Sequence, residues 1–223
     1  MTPVTIGCDH SFCYSCLLQY LDDNNSCPIC HSLVNLSTLK PNLELQEEVE
    51  NSKPRPIYIP DKVKGIVRVL ELNCSTEVYL TSRSIGSEAA IAIADRLKSN
   101  TSVRYLFLGD NSIGPEGAIA ISNALRYNSS ITSIYLGANS IGDVGVIAIA
   151  EALKVNSSVQ RINLGDNAII SDRGALALAS ALKVNSSVIT IYLGGNCLSS
   201  DAIGVLKEAV RKNGKHRDVQ LIL

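Results

Sequence analysis

The chain has 223 residues, 46% of them apolar and 18% charged, and its formal net charge is -1. This apolar content excludes general disorder, and a near-neutral charge removes the electrostatic basis for nucleic-acid binding, which needs a basic excess or stripe. No apolar run approaches the roughly 18 residues of a membrane span, and Met1-Thr2-Pro3-Val4 lacks the regions of a signal peptide; the expected location is cytoplasmic, or nuclear, with no membrane partner.

Five of the seven cysteines fall within the first thirty residues. Cys8, His10, Cys13, Cys16, Cys27 and Cys30 follow the order C-x-H-x2-C-x2-C-x10-C-x2-C. In a reducing compartment, C-x-x-C pairs flanked by histidine suit a metal better than a disulfide, and the donor types suit zinc (Zn2+). A tetrahedral structural site takes four ligands, so six donors exceed one site and fall short of two. Cys13, Cys16, Cys27 and Cys30 alone could close one site as two C-x-x-C knuckles, leaving Cys8 and His10 idle.

The order of these donors, the run Cys8-Asp9-His10-Ser11-Phe12-Cys13 and the closing Cys27-Pro28-Ile29-Cys30 resemble the RING finger of ubiquitin ligases. That resemblance implies an interleaved pair of zinc sites. Cys8, His10, Cys27 and Cys30 would form one complete site, and Cys13 and Cys16 half of the other, whose remaining pair would lie upstream of Met1. A start truncated relative to a full RING is therefore expected. The resemblance also implies a ubiquitin-conjugating enzyme as partner, touched by Tyr20 and Pro28, with no covalent intermediate and hence no catalytic residue on this chain. His31 stands where active ligases often carry arginine or lysine.

Leu39 to Glu50 suits a short acidic helix, with Asn42 as a possible cap and Leu45 and Val49 on one face. It weakly resembles the stretch that follows the RING in tripartite-motif proteins. Asn51-Ser52-Lys53-Pro54-Arg55-Pro56 is a stiff linker, and a boundary is expected near residue 55. Val63 to Asn73, with Ile66 and Leu70 four apart, predicts a helical cap for the repeating segment beyond it.

From residue 103 a pattern returns at 131, 159 and 188, a period of 28, 28 and 29 residues, with a first copy at Val78-Tyr79-Leu80. Leu106-Phe107-Leu108-Gly109-Asp110-Asn111 is matched by Ile134 to Asn139, Ile162 to Asn167 and Ile191 to Asn196. Each L-x-L triplet predicts a short strand with two inward side chains, and the alanine-rich segment after it switches to helical spacing, as in Ile121 and Leu125. Gly117, Ala118 and Ala120 are small enough for close approach of helix to strand. Asn111, Asn139, Asn167 and Asn196 sit where each strand turns away and are expected to satisfy backbone groups there. Arg83 takes that place in the first copy, and one extra residue near Ile170-Ser171 lengthens the third turn, so both places should depart from the repeat geometry. Asn-x-Ser sequons at Asn100, Asn128, Asn156 and Asn185 are expected to serve as turn residues. The end of the chain holds a basic run, Lys212, Lys215, His216 and Arg217, read as solvated, and then one last strand.

This L-x-L-x-x-N-x-L pattern with its following helix resembles leucine-rich repeats of the ribonuclease-inhibitor type, also found in nucleotide-binding immune receptors. The resemblance implies an α/β solenoid, with parallel strands on the concave face, helices on the convex face, and a small amino-terminal zinc-binding segment. The residue between the inward pair then projects from the concave face: Tyr79, Phe107, Tyr135, Asn163 and Tyr192. Four aromatics at one repeat position are a candidate protein-binding stripe, although aromatics also favour strands for packing alone.

The expected organisation is a partial RING-type finger over residues 1–36, an acidic helix and linker over 37–60, and the capped repeats over 61–223. Two functions are expected: a ubiquitin ligase, or a fragment of one, whose repeats recognise a protein; or a non-enzymatic adaptor with a vestigial zinc segment.

Overall fold

In this computed structural model the described residues are 3–5, 11–13, 63–167, 170–212 and 219–223. Near the amino terminus, β1 (Pro3–Thr5) and β2 (Ser11–Cys13) pair antiparallel, with Val4 opposite Phe12 and Cys13 opposite Pro3. The expected acidic helix and linker lie outside the described residues.

The repeat region alternates helix and strand in the order α1 (Lys64–Glu71), β3 (Glu77–Tyr79), α2 (Gly86–Leu97), β4 (Tyr105–Phe107), α3 (Gly114–Leu125), β5 (Ser133–Tyr135), α4 (Gly142–Leu153), β6 (Arg161–Asn163), α5 (Asp172–Leu182), β7 (Thr190–Tyr192), α6 (Ser200–Lys212) and β8 (Gln220–Ile222). The six strands form one parallel sheet in sequence order. Parallel neighbours need a crossover, and each helix supplies it, which puts all helices on the convex side and the strands on the concave side.

Alternation of side chains along each strand sends its middle residue inward, and β5 and β7 bury their first residue as well. Val78, Leu106, Ile134, Ile162 and Ile191 lie in one register row, and all are fully buried. From the opposite wall come Ile93 and Leu97, Ile121 and Leu125, Ile149 and Leu153, and Leu178 and Leu182, each pair one helical turn apart and almost wholly enclosed. Each such side chain contributes about 1.5–3 kcal/mol by leaving water. Where α4 meets its own turn and α3, a Cβ on Gly145 would stand 2.3 Å from Ile141 Cγ2 and 2.8 Å from Ala118 Cβ, so only glycine permits this packing. The cap helix α1 turns Ile66, Val67, Val69 and Leu70 into the same core ahead of the first strand.

Two ladders of buried asparagine run the length of the stack. In the first, Asn139 donates its amide N–H groups to the carbonyls of Leu108 (2.8 Å), Leu136 (3.1 Å) and Gly137 (2.9 Å). Its Oδ1 accepts the N–H of Asn111 (3.0 Å) and of Ile113 (3.3 Å). Asn111 and Asn167 repeat this pattern, each reaching back one repeat. Because every rung serves the repeat before it, the first copy has no such duty, and exposed Arg83 is tolerated there.

The second ladder is Asn100, Asn128, Asn156 and Asn185. Asn128 donates to Leu97 O and Asn100 O and accepts from the N–H of Ser130 and Ile131, closing the turn from helix to next strand. These sequon asparagines are turn residues, as expected, and they are buried.

Contrary to expectation, the backbone around Arg83 keeps the repeat geometry, with Ser82 and Ser84 at φ of 56° and 50° like Asp110 and Ser112 at 55° and 53°, whereas the lengthened third turn departs from it. Helix α4 starts at Gly142 with φ of 64°, a left-handed start also seen at Gly86 and Gly114, whereas α5 is capped by extended Ser171, whose side chain accepts from Arg173 N–H. Strand β8 closes the sheet as the sequence predicted, and Ile222 and Leu223 at its edge remain exposed.

Candidate functional site

The concave face carries two outward rows, set by the first and third residue of each strand. The third-residue row runs Tyr79, Phe107, Tyr135, Asn163, Tyr192 and Ile222 in strict register. Its first five members are the stripe read from the sequence, and the sheet brings them side by side. Tyr79 and Phe107 stack with ring centroids 4.5 Å apart and planes 5° from parallel; Phe107 and Tyr135 stack at 4.6 Å and 8°. Aromatic pairs of this kind add about 0.5–1.5 kcal/mol beyond area burial. Asn163 then interrupts the rings, its Oδ1 fixed by the Gly165 N–H at 2.8 Å.

The first-residue row is Glu77, Tyr105, Ser133, Arg161, Thr190 and Gln220. Sequence reasoning missed it, although the signal was available: strand side chains alternate with period two, so the residue two before each named aromatic shares its face. Glu77 Oε2 accepts the Tyr79 hydroxyl at 2.5 Å. That bond, followed by partial burial, pushes the phenol up to about 12 from its usual 10. Arg161 is half-buried beside Ser133, whose hydroxyl is buried and has no hydrogen-bond partner among the described residues.

At the opposite ends of the strands, acids knit the turns. Asp143 accepts from the Ser171 N–H (2.8 Å), the Ser171 hydroxyl (2.6 Å) and the Gly174 N–H (3.0 Å). Partial burial works to raise its pKa, but the bonds from Ser171 and Gly174 outweigh it and hold the carboxyl below the usual range. Asp172 is lowered too, by the Ser199 hydroxyl and N–H.

Of the expected zinc donors, Cys13 lies in β2. Cys8, His10, Cys16, Cys27, Cys30, Tyr20 and Pro28 lie outside the described residues. The donor set itself, five thiols and an imidazole within residues 8 to 30, fits zinc. Among the described residues no group of three or more His, Cys, Asp or Glu is placed to hold a metal ion. No helix among them is long and apolar enough to cross a membrane.

Comparison with known proteins agrees with both halves. The family "Zinc finger, C3HC4 type (RING finger)" matches residues 1–30, and "Leucine Rich repeat" matches 99–122, 127–150 and 155–179. Human Tripartite motif-containing protein 10 is 38% identical over 56 residues, covering 22% of this chain and 12% of that protein. Human Polycomb group RING finger protein 3 is 31% identical over 112 residues, 40% of this chain and 42% of its own. Postreplication repair E3 ubiquitin-protein ligase RAD18 of Debaryomyces hansenii is 37% identical over 87 residues, 39% of this chain and 16% of its own. The chain thus spans less than half the length of these relatives.

Among solved structures, Leiomodin-1 Actin-Binding Site 2 superposes with a TM-score of 0.61 at 22% identity, over 69% of this chain and 90% of that one. The tropomodulin C-terminal domain of Caenorhabditis elegans superposes at 0.57 and 14%, over 66% and 90%. At such identities the likeness is one of fold. The chain therefore joins a RING-type zinc finger segment at its amino-terminal end to a leucine-rich-repeat solenoid.

Proposed function

We propose that this chain acts in protein ubiquitination, its zinc segment engaging a ubiquitin-conjugating enzyme while the repeat sheet holds the protein to be modified. The observation that carries this reading is the presence, on one chain, of a C3HC4 match over residues 1–30 and a solenoid whose concave face bears a stacked aromatic row. Cys8, His10, Cys27 and Cys30 would hold one zinc ion, with Cys13 and Cys16 contributing to another. Zinc ligation supplies folding free energy to a segment too small for a hydrophobic core. Tyr20 and Pro28 would meet the conjugating enzyme, and Tyr79, Phe107, Tyr135, Asn163 and Tyr192 the protein partner. The chain then works by placement alone, since one surface orients the charged enzyme and the other raises the local concentration of its target.

The test is ubiquitin transfer by the full chain with a panel of conjugating enzymes, alongside measured zinc content. Conjugates that form with wild type and vanish with P28A and Y20A, at unchanged zinc content, are the expected result. Stoichiometric zinc with no transfer to any acceptor would overturn the ligase reading. That outcome would favour an interaction role without transfer, for which His31 and the two donors left over from a four-ligand site already speak.

A further inference from the structure

At its centre the strand rows of the concave face carry one cation, Arg161, and no acid. Arg161 makes no ion pair among the described residues, and Ser133, its neighbour in register, keeps a buried hydroxyl without a partner there. On the next position of the same two strands, Asn163 has its carbonyl oxygen taken by the Gly165 N–H, which leaves its amide N–H groups as the outward chemistry. The nearest acid on the face, Glu77, is two strands from Ser133 and already accepts the Tyr79 hydroxyl. Arg104, immediately before β4, is exposed and makes no ion pair among the described residues.

The aromatic row presents a specific surface beside this cluster. Near-parallel stacking turns the ring faces of Tyr79, Phe107 and Tyr135 toward one another, so a partner above the sheet meets ring edges. Ring edges carry the positive part of the aromatic quadrupole and suit aliphatic groups and carboxylate oxygens; they do not suit cations, which seek the faces.

We propose that the concave face binds a protein segment bearing an aspartate or glutamate, whose carboxylate meets Arg161, with the Asn163 amide as a neighbouring donor, while aliphatic side chains next to it lie along the edges of Tyr79, Phe107 and Tyr135. The proposal rests on the reading of this face as the protein-binding surface and adds the chemistry of the segment it binds. Guanidinium and carboxylate form the charge-assisted pair best matched in geometry, and exposed Arg104 adds a second positive charge near the start of β4.

Random peptides displayed on phage, selected against the full chain, provide the probe, and fluorescence anisotropy of the selected peptides on purified variants provides the readout. Peptides carrying Asp or Glu should emerge, bind R161E at least about tenfold more weakly than wild type, and recover on R161E when their acid is replaced by lysine. R161Q, which keeps a polar surface side chain, should lie between. Peptides weakened by Y135A yet indifferent to R161E and R161Q would overturn this proposal and leave the concave reading standing. Peptides indifferent to Y135A as well, or no binders at all, would overturn both.

Discussion

Asn139→Ala isolates the contribution of the inner asparagine ladder. Five hydrogen bonds disappear with the amide, but their consequences differ. The three carbonyls each keep another donor: Leu108 O retains Asn111, Leu136 O retains Asn167, and Gly137 O retains the Asp110 N–H. The N–H groups of Asn111 and Ile113 are left in the core with no replacement. An orphaned buried donor costs about 1–3 kcal/mol, so a loss of about 4 kcal/mol is expected, a small part of it from the vacated volume. Guanidinium unfolding followed by circular dichroism measures it, with exposed Asn123→Ala on α3 as the control, expected within about 0.5 kcal/mol of wild type. Asn139→Asp should be worse than Asn139→Ala at neutral pH, because an oxygen then faces three carbonyls, and it should recover partly on acidification as the acid becomes a donor. A loss below about 1 kcal/mol for Asn139→Ala would refute the account of orphaned donors.

Gly145→Ala should destabilise by about 1–3 kcal/mol through its contacts with Ile141 and Ala118, while Gly204→Ala, with nothing within 4 Å of the added Cβ, should stabilise by about 0.5–1 kcal/mol; thermal melts read both. Asp143 has a folded pKa below its unfolded 3.8, so its contribution is present above about pH 4 and is lost as pH falls through the folded value. The stability gap between wild type and D143N should therefore shrink between about pH 5 and that value, and a gap constant with pH would contradict the assignment. The Tyr79 ring carbon bearing oxygen, followed by NMR, should titrate near 12, and E77Q should return it toward 10. Because the folded value is the raised one, this phenol stabilises the fold below pH 10 and ceases to do so as pH rises through 12.

Much of the fold was written in the period of the chain. A repeat of 28 or 29 residues fixes which side chains recur, and alternation along a three-residue strand decides which of them point inward, so Leu106, Ile134 and Ile162 could be placed in the core from the sequence alone. The donor order and spacing at the amino terminus likewise carried the resemblance to the RING finger, and the C3HC4 family matches residues 1–30. Other properties depend on neighbours far apart in sequence. That Tyr79, Phe107 and Tyr135 stack, that Asn163 breaks the row, and that each asparagine serves the preceding repeat all follow from strand register, which sets distances between residues 28 positions apart. The same register places Arg161 beside Ser133 and makes it the one cation among the outward strand rows of the concave face. Sequence determined the repeating unit, since that is local steric and hydrophobic chemistry; tertiary structure decided which side chains adjacent units present together, since only stacking brings them within reach of one ligand.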